Sequence, residues 1–223
     1  MEGYRFRFDV VWANLPFLLD GLGLTLLISA LSLVASAVLG LGVAMLRLSR
    51  VRGLGFVAAS YCELFRDTPV LVQLFWVYYV IPIVLDIRIS AFTAAVIGLS
   101  LNSSAVLAEV YRAGIQSVAR GQLEAARVLG LRPWQTMRRI VLPQAIRTVL
   151  PPMANDFVSL IKFSSLASTF AVGEITRKAT ELTAFTFRPM EIFTFVALVY
   201  FAICWPLSIS IRYAERRLAV RSA

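Results

Sequence analysis

Three long stretches of this chain, residues 21–46, 89–108 and 192–211, contain no charged side chain. Each is long enough to cross about 30 Å of hydrocarbon as a helix. Hydrocarbon offers no water to backbone N–H and C=O groups, so a segment placed there must close its own hydrogen bonds, as an α-helix does. Two less regular apolar regions lie between these runs. Residues 53–85 are interrupted by Glu63, Arg66 and Asp67. Residues 148–173 begin with Pro151-Pro152 and contain Asp156 and Lys162. The expected fold class is an all-α integral membrane protein with five transmembrane helices. The tandem prolines are expected to break or kink the fourth span. Residues 174–188, with Glu174, Arg177, Lys178, Glu181 and Arg188, read as a polar loop.

The chain is 59% hydrophobic, above the half-apolar composition of soluble domains. Its net charge of +9 would suggest nucleic acid in a soluble protein. Here the arginines flank the apolar runs, which reads as a topology signal and not as a nucleic-acid surface. Histidine is absent, which excludes Ser-His and Cys-His catalysis and histidine metal sites. Cys62 and Cys204 both fall in apolar segments and read as packing residues. No metal site is expected. The N-terminus mixes acids and aromatics without the layout of a signal peptide.

Residues 1–20 form an extracytoplasmic, interfacial segment in this reading. Phe6, Phe8, Val11, Trp12, Leu15 and Phe17 are placed to seat a helix at headgroup level. Residues 21–223 form the transmembrane domain. Fourteen basic residues fall on one side of a five-span layout: Arg47, Arg50 and Arg52, seven arginines from Arg112 to Arg147, and Arg212, Arg216, Arg217 and Arg221. Six fall on the other: Arg5, Arg7, Arg88, Arg177, Lys178 and Arg188. The richer side is expected to be cytoplasmic, which puts the N-terminus outside and the C-terminus inside.

The loop at about 117–143 holds GQLEAARVLGLRPWQTMRRIVLP. Gln122 to Leu129 are strong helix formers, Gly130 suits a left-handed cap, and Pro133 limits continuation. On composition alone this is an amphipathic connector lying on the membrane surface. Its spacing says more: Glu124-Ala125-Ala126, then Gly130, then Ile140, Leu142 and Pro143. That pattern resembles the EAA loop by which permease subunits of bacterial ABC importers dock on their ATPases. The resemblance implies a docking helix with Glu124, Ala125, Ala126, Arg127, Gly130 and Leu131 at the contact.

Three further stretches resemble the polar amino acid uptake branch of that family. The first is ELFRDTPVLVQLF, where Arg66, Thr68, Pro69, Leu71, Val72 and Gln73 match and Asp67 replaces the usual glycine. Pro69 frees a carbonyl in the preceding turn, and Thr68, Gln73 and Arg66 are placed to supply hydrogen bonds at a broken helix; all three are candidates to line the substrate pathway, with Gln73 read as pathway-lining. Arg66 is read equally well as a membrane-surface residue beside Asp67. The second is LNSSAVLAEVYRAGIQSV. Glu109 and Arg112 share a helical face as an ion pair, and Asn102, Ser103 and Ser104 line a cavity or bond across helices. The third is NDFVSLIKFSSL. Ionisable residues at this depth normally face a cavity or a partner. Met153, Asp156, Ser159, Lys162, Phe163, Ser164 and Ser165 are the pathway candidates here. Asp156 and Lys162, six apart, lie on different faces and are not expected to pair. Phe163 stands where relatives often place an acid, which argues against a strongly cationic substrate.

The resemblance implies a type I (MetI-like) permease fold in the bacterial inner membrane. It further implies a second permease chain, alike or related, two cytosolic ATPase subunits and an extracytoplasmic solute-binding protein. The chain lacks a P-loop: its only lysines, Lys162 and Lys178, do not follow a glycine-rich loop. ATP and Mg²⁺ would therefore be bound by the partner ATPase, with no cofactor on this chain and no bond chemistry of its own. The rival readings are a stand-alone secondary transporter or channel using Asp156 and Lys162 for ion coupling, and an intramembrane enzyme. The second lacks both histidine and a paired-aspartate arrangement.

Overall fold

The protein is represented by a computed structural model that describes residues 5–49 and 51–220, the last four by backbone alone. Glu2, Arg50 and Arg221, and the side chain of Arg217, lie outside the described residues. After a short helix α1 (Asp9–Ala13) come α2 (Leu15–Arg47), α3 (Arg52–Asp67) and α4 (Val70–Leu85). Then follow α5 (Ala91–Gln116), α6 (Arg120–Val128), α7 (Pro133–Phe170), α8 (Ile175–Thr186) and α9 (Pro189–Val220). Helices α2, α5 and α9 are each long and apolar enough to cross a membrane. The pairs α3–α4 and α7–α8, bent by 108° and 47°, bring the number to five if each is one broken span.

Helix α2 is built inside out relative to a helix of a water-soluble protein. Apart from Leu18 and Ile28 it buries only small residues, Gly21, Thr25, Ser29, Ser32, Ser36, Gly40 and Ala44, and it exposes Leu27, Leu31, Val34, Val38, Leu41 and Met45. Lipid is as apolar as leucine, so large side chains gain nothing by leaving it, while small ones let backbones approach. The partner is α5, with which α2 makes the most extensive helix pairing. Near its far end, Cys62 of α3 packs with Ala44 and Ala108, as a small hydrophobe would.

Three boundaries differ from the sequence expectation. Helix α2 starts at Leu15, not at residue 21, and takes in Asp20, which reaches Lys178 Nζ at 3.3 Å. One charge does not stop a helix when it finds a partner. Of the expected interfacial segment, Val11 is buried, while Phe6, Phe8 and Trp12 remain exposed. Second, α7 runs through Pro151 and Pro152 without interruption. The carbonyls left without donors belong to Arg147 and Thr148, both exposed, so the loss falls outside the packed seam.

Third, the expected polar loop is helix α8. It is started by Glu174, which is fully buried and accepts the N–H groups of Arg177 at 2.7 Å and Thr176 at 3.0 Å. Thr25 and Tyr200 hydroxyls donate to the same carboxylate at 3.4 and 3.3 Å. An acid at a helix N-terminus satisfies orphan donors and meets the positive end of the dipole. Glu174 thereby ties α2 and α9 to α8. Arg177 and Glu181 pair along the helix at 2.8 Å.

A Cβ added at Gly40 would lie 2.8 Å from the Ser104 carbonyl oxygen and 3.0 Å from Leu107 Cβ, while at Gly42 it meets open space. Gly40→Val is therefore expected to destabilise the fold by about 1–3 kcal/mol, and Gly42→Val by less than about 0.5 kcal/mol. Thermal unfolding of the detergent-purified protein checks this, and equal shifts for the two variants would contradict the packing.

Candidate functional site

The break between α3 and α4 follows from one missing donor. Pro69 has no N–H to give to the carbonyl of Phe65, four residues earlier. That oxygen instead accepts Gln73 Nε2 at 2.8 Å and Asn102 Nδ2 at 2.7 Å. Gln73 Nε2 also lies 3.0 Å from the Thr68 carbonyl oxygen and 2.7 Å from Thr68 Oγ1. The Thr68 hydroxyl donates to Leu64 O at 2.7 Å. Thr68 and Gln73 thus do what the sequence suggested. Arg66 does not: it is exposed, and its side chain has no hydrogen bond or ion pair among the described residues. Gln73 Oε1 is buried and has no donor among the described residues. A cavity of about 360 Å³ adjoins the break, lined by Thr68 and Gln73 and by the apolar side chains of Phe65, Val72, Trp76 and Ile81, among others.

Helix α5 carries the seam between this break and α7. Asn102 faces the break. Ser103 donates to Asp156 Oδ2 of α7. Ser104 shares a 2.7 Å hydrogen bond with Tyr61 of α3. Three consecutive polar residues therefore serve three contacts between helices. Asp156 is engaged with Ser103 and not with Lys162, which matches their separation on the helix. Tyr111 OH points at Met153 Sδ, 3.9 Å away.

Lys162 and Phe163 are exposed on α7, with Ser159 half-buried one turn earlier and Asn155 exposed above it. Ser159 Oγ returns to Asn155 O at 3.3 Å, and Ser165 Oγ to Lys162 O at 2.6 Å. Ser164 leaves this face: it is buried and donates to Ile161 O at 2.8 Å. If α7 and α8 together form one broken span, a lysine exposed there cannot face hydrocarbon cheaply.

The predicted docking stretch is helix α6 with its turn. Gly130 has φ +70°. The N–H of Gly130 bonds Arg127 O at 3.0 Å, and that of Leu131 bonds Ala126 O at 3.0 Å. This is a Schellman motif with glycine at the left-handed position. Ala126 is buried and anchors the helix. Glu124, Ala125, Arg127 and Gly130 are exposed and Leu131 is half-buried. Beside them Val128 is 88% exposed, Leu129 76% and Trp134 69%. After Pro133 the chain rises into α7, and Gln144 donates to Gln122 Oε1 at 2.6 Å, holding the two limbs together.

Two features escaped the sequence reading. The fully buried Glu174 was hidden in a segment that charge alone marks as a loop; its position just before ITRKATEL, a run of helical composition, was the available signal. The partner of Glu109 was also missed. Glu109 pairs with Arg112 at 2.8 Å as expected, but its other oxygen meets Arg47, at the end of α2. No local pattern reports a contact between residues so far apart in sequence.

Residues 36–220 match the family described as "Binding-protein-dependent transport system inner membrane component". The chain is 42% identical over 216 residues to the probable amino-acid ABC transporter permease protein YckA of Bacillus subtilis, covering 97% of this chain and 95% of that protein. It is 37% identical over 217 residues to the glutamine transport system permease protein GlnP of Escherichia coli, covering 97% and 99%. Among solved structures it resembles an amino acid ABC transporter crystallised with histidines, with a TM-score of 0.90 and 36% identity over 96% of this chain and all (100%) of that one. The MetNI methionine ABC transporter shares the fold at 18% identity, with a TM-score of 0.78.

Gln73→Leu is expected to leave the Thr68 carbonyl short of its donor and to lower stability by about 1–3 kcal/mol. Asn102→Ala should do less, because Gln73 still reaches the Phe65 carbonyl. Unfolding in detergent separates the two, and the reverse order would contradict the hydrogen-bond assignment.

Proposed function

This chain belongs to the family of binding-protein-dependent transport system inner membrane components, and from that premise we propose how it works as the permease subunit of an ABC importer for amino acids. It forms the translocation pathway and hydrolyses nothing itself. Two cytosolic ATPase subunits bind ATP and Mg²⁺. A second permease chain, alike or related, completes the pathway, and an extracytoplasmic binding protein delivers the substrate. The chain sits in the bacterial inner membrane with its N-terminus outside and α6 and its C-terminus in the cytosol.

The observation that carries this reading is the construction of α6. A short helix is anchored by Ala126 and stopped by Gly130, and it presents Glu124, Arg127, Val128 and Leu129 outward. It hangs between the end of α5 and the rise of α7, so force applied to it reaches two spans at once. Closure of the ATPases on ATP moves α6, the spans rock, and the pathway opens to one side and then the other. A stand-alone carrier has no use for this element.

The pathway runs past the broken span and α7. Gln73 Oε1, Asn102 and the exposed face with Ser159, Lys162 and Phe163 are the contacts available to a solute. Lys162 supplies a positive charge for an amino acid carboxylate. Phe163, neutral where an acid would favour a cationic side chain, supports a polar amino acid without strong positive charge. The relatives differ in what their names say they carry, glutamine, L-cystine and arginine among them, so family membership leaves the side chain open.

Glu124→Lys and Gly130→Val are expected to leave membrane insertion intact and lower ATP-driven uptake by about tenfold or more, while hydrolysis by the bound ATPases persists. Uptake in reconstituted vesicles checks this, and normal transport by both variants would remove α6 from the docking role.

A further inference from the structure

We propose that Glu109 is a positioning residue that makes the end of the first span move with the docking helix; this rests on the importer reading above. Its carboxylate is shared. One oxygen meets Arg47, and the other accepts Arg112 Nη2 at 2.8 Å and Nε at 3.0 Å. Arg112 Nη1 then donates to Gln116 Oε1 at 2.8 Å. Arg47 is the last residue of α2, and Gln116 is the last of α5 before the docking stretch. One carboxylate therefore begins a continuous line of charge-assisted hydrogen bonds from the first span to the residues from which α6 hangs.

The packing beneath this line is tight enough to keep its register. Ala44 and Ala108, one turn or less from Arg47 and Glu109, are both buried in one cluster. Gly40 lies against the Ser104 carbonyl and Leu107 one turn further in. The ion pair is not a loose surface contact either, since the side chains of Arg47 and Glu109 are each only 20% exposed. Partly desolvated, charge-assisted hydrogen bonds such as these, with Arg47 on one oxygen and both Arg112 nitrogens on the other, are stronger than neutral ones and hold the carboxylate between its two arginines. Apolar seams between helices can slide in a bilayer. A shared carboxylate at the end of two helices fixes them together where the load from α6 enters.

Arg112 tethers only within α5, whereas Arg47 is the arm that crosses to α2. The two arms therefore have separable effects. The test uses the full complex with its ATPases and binding protein in vesicles, and reads amino acid transported per ATP hydrolysed. Assembly and thermal unfolding are measured beside it. Glu109→Gln and Arg47→Gln are each expected to lower that ratio by about five- to tenfold, with assembly unchanged. Arg47→Lys, which keeps the charge, should retain most of it. The Glu109→Gln/Arg47→Gln double variant should be no worse than either single, as a shared interaction requires.

Should Glu109→Gln fail to assemble, Arg47→Gln and Arg47→Lys, at a helix end, still separate the outcomes. Wild-type ratios in both single glutamine variants, or additive losses in the double, would overturn the proposal while the importer reading stands. A wild-type complex that hydrolyses ATP without moving any amino acid would overturn that reading, and this inference with it.

Discussion

A backbone carbonyl inside a membrane has only protein to bond to, and the carbonyl of Phe65 shows how much of this chain is arranged around that limit. Pro69 takes away its helical donor. Gln73, from the far side of the break, and Asn102, from another span, replace it. The bend of 108° between α3 and α4 is thus held without leaving that carbonyl bare. The same bonds join α3, α4 and α5, and the neighbouring serine joins α5 to α7 through Asp156. A break that would be a defect in a straight span becomes the junction of four helices and the wall of a cavity.

The apolar part of the fold obeys a different rule. With lipid outside, large side chains gain little by being inside, so α2 presses Gly40 and Ser32 against α5 and Gly21 against the start of α8. Close approach then brings polar and charged groups within reach of one another across helices. Glu174 between α2, α8 and α9, and Glu109 between α2 and α5, both depend on it. Carboxylates held away from water in this way, Glu174 fully and Glu109 for the most part, are tolerable because each is met by several donors. They specify which helix ends belong together, which the interchangeable leucines on the outside cannot do.

Much of this was legible in the residues. The uncharged runs place three spans, Pro69 places the break, and Gly130 places the turn after α6 because only glycine takes φ +70° there without strain. What was not legible depended on distant partners. Asp20 looked like the end of an apolar run until Lys178 was seen opposite. Glu174 looked like loop chemistry until Thr25 and Tyr200 enclosed it. Pro151 and Pro152 looked like a break because the residues that lose their bonds were not known to be exposed. In the candidate site, Thr68 and Gln73 could be read from the motif, whereas the burial of Ser164 and the exposure of Lys162 follow from how α7 packs.

The central claim is that this chain moves an amino acid through itself under the control of an ATPase that it grips by α6. The most direct measurement is ATP hydrolysis by the reconstituted complex, with its binding protein present, across acidic, neutral and basic amino acids. Stimulation confined to one class, expected to be polar and not cationic, is the result that the account predicts. An active, assembled ATPase that no amino acid stimulates would contradict it.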